Sequence, residues 1–117
     1  MQYLLMCCFD ESRWQDIPEQ DRDVIMRDYG AWIQRIAGDR QHVASARLLP
    51  SSTATTIRIR NGRPMITDGP FTETKEQFGG YHLVECRDLD EAISVALRIP
   101  TLPFGGTVEV RPVEPAP

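Results

Sequence analysis

A chain of 117 residues, 41% hydrophobic and 26% charged, has the composition of one globular domain with a single core. Its net charge of -4 argues against general nucleic-acid binding, because neutralising phosphates takes a basic face. No apolar run approaches the roughly 20 residues of a membrane-spanning helix, so no membrane association is expected and the chain is read as cytoplasmic.

The apolar opening MQYLLMCCF is short, lacks a basic flank and runs at once into Asp10 and Glu11, so it reads as a buried strand rather than a signal peptide. Its near-continuous hydrophobicity over Tyr3 to Phe9 predicts cover on both faces. Cys7 and Cys8 point to opposite faces of such a strand and Cys86 stands alone. No CxxC or Cys/His spacing is present, so neither a disulfide framework nor a metal site is expected, and no cofactor motif is found. The three cysteines read as small hydrophobes.

From Pro18 the period becomes helical. Val24, Ile25, Tyr29, Trp32, Ile33 and Ile36 form one stripe, with Pro18 suited to the first turn and Gly38 to the stop. Gly30 inside this helix suggests close approach of another element. His42 to Leu49 predicts a second strand. Thr55 to Arg60 alternates, with Ile57 and Ile59 on one face, and Asn61-Gly62 predicts a two-residue hairpin turn. That turn opposes Arg60 with Arg63, Ile59 with Pro64 and Ile57 with Ile66, and the hairpin ends at Asp68-Gly69-Pro70.

Beyond the loop, Tyr81 to Cys86 predicts a strand. Asp88 and Glu91 have capping-box spacing for a helix closed by Pro100 and Pro103, and Gly106 to Val113 predicts the last strand. The tail, residues 114–117, is expected to be frayed. Strand, helix, strand, hairpin, strand, helix, strand is an α+β, ferredoxin-like split βαβ plan plus a hairpin, with both helices on one face of an antiparallel sheet. The second face of the apolar first strand then needs cover, and a homodimer packed sheet to sheet supplies it.

The residues Thr67-Asp-Gly-Pro-Phe71, Glu73-Thr-Lys-Glu-Gln77 and Gly79-Gly-Tyr81 resemble the signature of the DGPF proteins within the YCII-related family. Ser52 to Thr56, Asp88 to Ala92 and Val108 to Val113 extend the likeness over essentially the whole chain. The resemblance implies a ferredoxin-like fold dimerising into a barrel-like assembly. It also implies a distant enzyme branch, including a dehydrochlorinase of a muconate-type compound with a suspected His-Asp proton-transfer pair whose histidine belongs to the first helix. The resemblance further implies a genomic association, since members of the DGPF branch are often found beside genes for extracytoplasmic-function sigma factors. Here no histidine lies between Trp14 and Gly38, and Tyr29 is the polar aromatic nearest that role.

Five residues are therefore candidates. Asp68 is either a carboxylate base at a cleft mouth or an Asx-turn residue. Tyr29 stands in the helix position, and His82 has the side chain best matched to acid–base work near neutral pH. Arg58, sharing a strand face with Arg60 and Arg63, is a possible anchor for a small carboxylated ligand, and Lys75 a possible clamp. Gly79-Gly80 precede a strand, not a helix, so they suit a bulge or re-entry rather than a phosphate cradle. Two functions fit: a small-molecule protein performing proton transfer, or a non-catalytic regulatory module linked to a sigma factor.

Overall fold

The computed structural model describes residues 1–116. In chain order the elements are β1 (Gln2–Phe9), α1 (Glu11–Trp14), α2 (Glu19–Gly38), β2 (His42–Arg47), β3 (Thr55–Arg60), β4 (Arg63–Asp68), β5 (Gln77–Glu85), α3 (Leu89–Ala96) and β6 (Thr107–Pro112), with 3-10 turns at Ser51–Thr53 and Leu102–Phe104. Four strands form one sheet in the order β2-β5-β1-β6, every neighbouring pair antiparallel. This is an α+β arrangement compatible with the ferredoxin-like plan. The hairpin β3–β4 does not join that sheet; it forms a two-stranded sheet of its own.

Alternation along the strands decides what is buried. Tyr3 and Leu5 of β1 and His82 and Val84 of β5 face the helices. There they meet Trp32 and Ile36 of α2 and Ala92, Val95 and Ala96 of α3, with Ile99 completing the core. Both long helices therefore lie on one face, as expected. Leu4 and Met6 of β1, Tyr81 and Leu83 of β5 and Ala44 and Ala46 of β2 point to the other face and are only half-buried. Among the described residues no helix is long and apolar enough to cross a membrane.

The hairpin register is the expected one: Arg60 opposes Arg63, Ile59 opposes Pro64 and Ile57 opposes Ile66. Asn61 and Gly62 take φ of 53° and 75°, the pair of positive values a tight primed turn requires. Asp88 caps α3, its Oδ1 accepting from the Glu91 amide at 2.9 Å. The Glu91 carboxylate reaches back one residue further than a capping box would, accepting from the amide of Arg87 at 3.2 Å and from its guanidinium at 2.6 Å.

Several expectations are corrected. A short third helix, α1, follows β1, because Asp10 caps it through the Ser12 amide at 3.1 Å. Gly38 is the last residue of α2 rather than its left-handed stop; that conformation falls to Arg40, φ 58°. Gly30 marks no close approach, since a Cβ there would meet nothing within 4 Å. β2 ends at Arg47 and β5 starts at Gln77, so the glycine pair lies inside a strand. The β1–β5 register passes from Cys7–Gly80 to Cys8–Phe78, leaving Gly79 as the extra residue of a bulge. Residues 114–116 belong to no regular element, and residue 117 of the expected tail lies outside the described residues.

Candidate functional site

Three rows of side chains cross the helix-facing side of the sheet, and two of them make the site. In one row Val110, Leu5, His82 and Ser45 stand side by side; in the next come Val108, Cys7, Gly80 and Arg47. α2 lies above and drops Tyr29 and Trp32 onto these rows, three residues apart and hence on one helix face. The Tyr29 hydroxyl lies 3.0 Å from His82 Nε2 and 3.3 Å from Cys7 Sγ. On the far side of the imidazole, Nδ1 is 2.7 Å from Ser45 Oγ, which in turn is 2.8 Å from His42 Nε2.

The result is a continuous chain of five hydrogen-bonding groups: thiol, phenol, imidazole, hydroxyl, imidazole. Each inner member both donates and accepts, so the donors can all point one way or all the other. The Trp32 ring stacks edge-on to His82 with centroids 4.7 Å apart, and its indole N–H donates to the Val95 carbonyl at 3.0 Å. That fixes the lid over the imidazole.

Burial sets the electrostatics. His82 is 6% exposed, and desolvation, with a smaller repulsion from His42, lowers its pKa from 6.5 to about 4. It is a neutral imidazole at pH 7, able to accept a proton at one nitrogen while donating from the other. Desolvation and the neighbouring Cys7 push the Tyr29 phenol well above its usual value, against a smaller pull from the Arg47 cation. Tyr29 is thus a firm hydrogen-bond donor and no phenolate. Burial also raises the Cys7 thiol, with the Tyr29 hydrogen bond opposing, so Cys7 is not a reactive thiolate.

At the same end of the sheet the loops are tied by polar side chains. Glu11 accepts from the Ser51 amide at 2.8 Å and the Ser51 hydroxyl at 2.6 Å. The Gln77 side chain accepts from the Glu11 amide at 2.8 Å and donates to the Thr74 carbonyl at 2.6 Å. This network pins the TDGPF-containing loop to α1 and to the start of the hairpin, which gives the glutamate and the glutamine structural roles.

Of the five candidates, the structure brings Tyr29 and His82 together and leaves the others out of that cluster. Asp68 is exposed at the end of β4, opposite Thr55, and among the described residues its carboxylate has no hydrogen-bond or ion-pair partner. The backbone turn there is closed instead by the Gly69 amide donating to the Ala54 carbonyl at 2.7 Å. Arg58 is exposed on the hairpin, its guanidinium 3.4 Å from the Phe71 carbonyl, and Lys75 is exposed in the loop. Sequence reasoning missed Cys7, Ser45, His42 and Arg47 as members. The available signal was register: Ser45 sits where β2 pairs with His82, but that pairing exists only once the β2-β5-β1 order is known.

Arg47 is exposed on the helix-facing row, close enough to act on the Tyr29 phenol. Its closest polar contact is a weak one to Met26 Sδ at 3.8 Å, and among the described residues it has no ion-pair partner. Two surface clefts of about 200 and 350 Å³ share Asp39, Gln41 and Glu91 near the C-terminal end of α2; Trp32 lines the first of them, and His82 and Tyr29 line neither. Among the described residues no group of three or more His, Cys, Asp or Glu is placed to hold a metal ion.

Comparison with known proteins gives a family and no reaction. An uncharacterised protein of Rhizobium meliloti (strain 1021) is 36% identical over 114 residues, which cover 97% of this chain and 92% of that one. The sequence profile of the YCII-related domain matches residues 1–117, from end to end. The chain belongs to the YCII-related family.

Proposed function

We propose that the chain is a small-molecule-binding YCII-related protein that transfers a proton to or from a small carboxylated compound through Tyr29 and His82. The observation that carries this reading is the Tyr29 hydroxyl held 3.0 Å from a neutral, buried His82. Tyr29 is half-buried and His82 is buried, so the phenol is the member a ligand would meet. When the ligand takes a proton from, or gives one to, the phenol oxygen, His82 Nε2 balances it. Ser45 Oγ and His42 Nε2 then carry the compensating proton to the more exposed edge of the sheet. Arg47, without an ion pair among the described residues and beside the phenol, is the anion anchor in this reading. The family's DGPF segment acts by holding the loops at this end. We place the working unit as a homodimer packed through the half-buried face of Leu4, Met6, Tyr81 and Leu83, located in the cytoplasm.

The test uses small carboxylic acids with an acidic α-C–H, such as 2-oxobutanoate and acetoacetate, as probes in D₂O. Deuterium incorporation at that carbon, followed by NMR, should exceed the buffer rate. It should fall by roughly a hundredfold or more in Tyr29→Phe and His82→Gln. Arg47→Ala should weaken saturation rather than the bound rate. No incorporation above buffer, with no shift of the His82 imidazole signals on adding the probes, would sink the proton-transfer reading.

A second reading has its own support. Both nitrogens of His82 are satisfied within the chain, and neither surface cleft includes it. That is the state of a structural histidine in a regulatory or interaction module, with a sigma factor as the partner class. Under that reading Tyr29→Phe and His82→Gln change stability and leave every probe unbound.

A further inference from the structure

Ser45 is the narrow point in the chain of hydrogen bonds. Its Oγ lies 2.7 Å from His82 Nδ1 and 2.8 Å from His42 Nε2, and among the described residues it has no third partner. A hydroxyl has one proton to give. When Ser45 donates to one imidazole, the other must donate to Ser45, or a part-buried hydrogen bond is lost. The protonation of the facing nitrogen on one ring therefore fixes the tautomer of the other.

The two histidines are not equal. His82 is buried, and desolvation holds its pKa at about 4, with a charge on His42 lowering it further. His42 is half-buried on β2, an edge strand of the sheet. Among the described residues no charged group of α2, β2 or β5 forms an ion pair with it, and His82, across Ser45, is the ionisable group it faces. A proton shared by this pair is held at His42, where less solvation is lost.

Two arrangements follow. With His42 charged, its Nε2–H donates to Ser45, Ser45 donates to a bare His82 Nδ1, and His82 Nε2–H donates to the Tyr29 oxygen. The phenol proton then turns away from His82, towards Cys7 Sγ or a ligand. With His42 neutral and its Nε2 bare, every donor turns round. Ser45 donates to His42, His82 Nδ1–H donates to Ser45, and His82 Nε2 accepts the phenol proton. Only this second arrangement lets the phenol pass a proton inward, and only the first lets His82 resupply it.

We infer that His42 is a positioning residue that sets, through Ser45, the direction in which Tyr29 and His82 move a proton. This role rests on the proton-transfer reading above and adds what controls it. Inward, a ligand C–H bond breaks as a phenol O–H forms, and the old phenol O–H breaks as His82 Nε2–H forms. His82 Nδ1–H breaks as a Ser45 O–H forms, and the old Ser45 O–H breaks as His42 Nε2–H forms. The ligand keeps the electron pair as a carbanion and His42 carries the balancing charge, so neither Tyr29 nor His82 ends charged. Outward transfer is the same sequence reversed.

NMR of the ring nitrogens in the full chain tests this, because it reports the tautomer of each histidine separately. As pH falls through the titration of His42, His82 should pass wholly to the Nε2–H tautomer with the same midpoint, while staying neutral. In Ser45→Ala, His42 should still titrate and the His82 tautomer should no longer follow it. Deuterium exchange into 2-oxobutanoate should fall about tenfold for each pH unit below that midpoint, and His42→Gln should lose this inflection. A His82 tautomer that stays constant across the titration of His42 overturns the inference, whatever the exchange rates. A tautomer that follows His42, with no exchange above buffer, upholds the link between the histidines and overturns the proton-transfer reading alone.

Discussion

Ile36 on α2 is 3% exposed and Ile59 on β3 is 75% exposed, although each lies on the apolar side of a regular element. Around Ile36 every group has a partner: Trp32 is hydrogen-bonded to α3, Tyr29 to His82, His82 to Ser45. Around Ile59 the ladder to β4 is complete, but no layer lies over the apolar face. The body is thus determined by its own contacts, whereas the β3–β4 arm has its secondary structure set locally and its tertiary partner left open. Substitutions should therefore register strongly in the stability of the chain in the first region and weakly in the second.

Trp32→Ala puts that contrast to its hardest test. The indole is 5% exposed, covers His82 and donates to Val95, so its loss should cost about 3–5 kcal/mol of unfolding free energy. Ile59→Ala removes apolar atoms already in water and should change the stability of the isolated chain by less than about 0.5 kcal/mol. Chemical denaturation at low concentration measures both. Equal losses in the two variants would erase the distinction between body and arm.

The next largest effect belongs to pH. His82 is neutral in the fold, with its pKa lowered by burial to about 4 from 6.5. The unfolded chain takes up this proton near pH 6.5 and the folded chain only near 4. Stability is then fully present above about 6.5 and is lost as pH falls towards 4, below which both states are protonated. The difference in pKa corresponds to about 3 kcal/mol over that window. His82→Gln should flatten this part of the stability curve, while Ile57→Glu should leave its shape between pH 5 and 7 intact. An imidazole titrating near 6.5 by NMR in the folded protein would break the argument.

How much of this was legible in the sequence follows the same division. Local chemistry was readable: Asn61-Gly62 specified the turn and the register of the arm, and Asp88 specified the start of α3. The helical stripe named Tyr29, Trp32 and Ile36 together, and alternation placed Cys7 and Cys8 on opposite faces. What depended on strand order was not readable. His82 could be singled out for its chemistry, but its neighbours Ser45 and Cys7 lie 37 and 75 residues away and meet it only through the β2-β5-β1 pairing and Tyr29. Asp68 was legible as the end of a strand; whether a strand end faces a site is a tertiary fact. The short helix α1 was missed because its cap, Asp10, directly follows a strand and the helix has only four residues.

The smallest effect separates two glycines, one in each region. Gly80 is itself buried in the row between Cys7 and Arg47, where an added Cβ would sit 2.9 Å from the Ala46 carbonyl oxygen and 3.5 Å from the Arg47 Cα. Both are backbone atoms of the neighbouring strand, so relief requires β2 to move away from β5, stretching the pairing that brings Ser45 to His82. Gly80→Ala should cost about 1–3 kcal/mol and should loosen the Ser45 contact, visible as a change in the His82 Nδ1 shift. At Gly62 an added Cβ meets nothing within 4 Å, and the only penalty is φ of +75°, about 1 kcal/mol for a non-glycine residue. Because the hairpin is a separate two-stranded sheet with almost every residue exposed, Gly62→Ala should speed amide exchange in residues 55–68 and leave the global unfolding midpoint nearly unchanged. If Gly62→Ala instead lowers that midpoint as much as Gly80→Ala does, arm and body unfold as one cooperative unit. The arm would then owe its order to contacts with the rest of the chain, and the contrast between the two regions would fail.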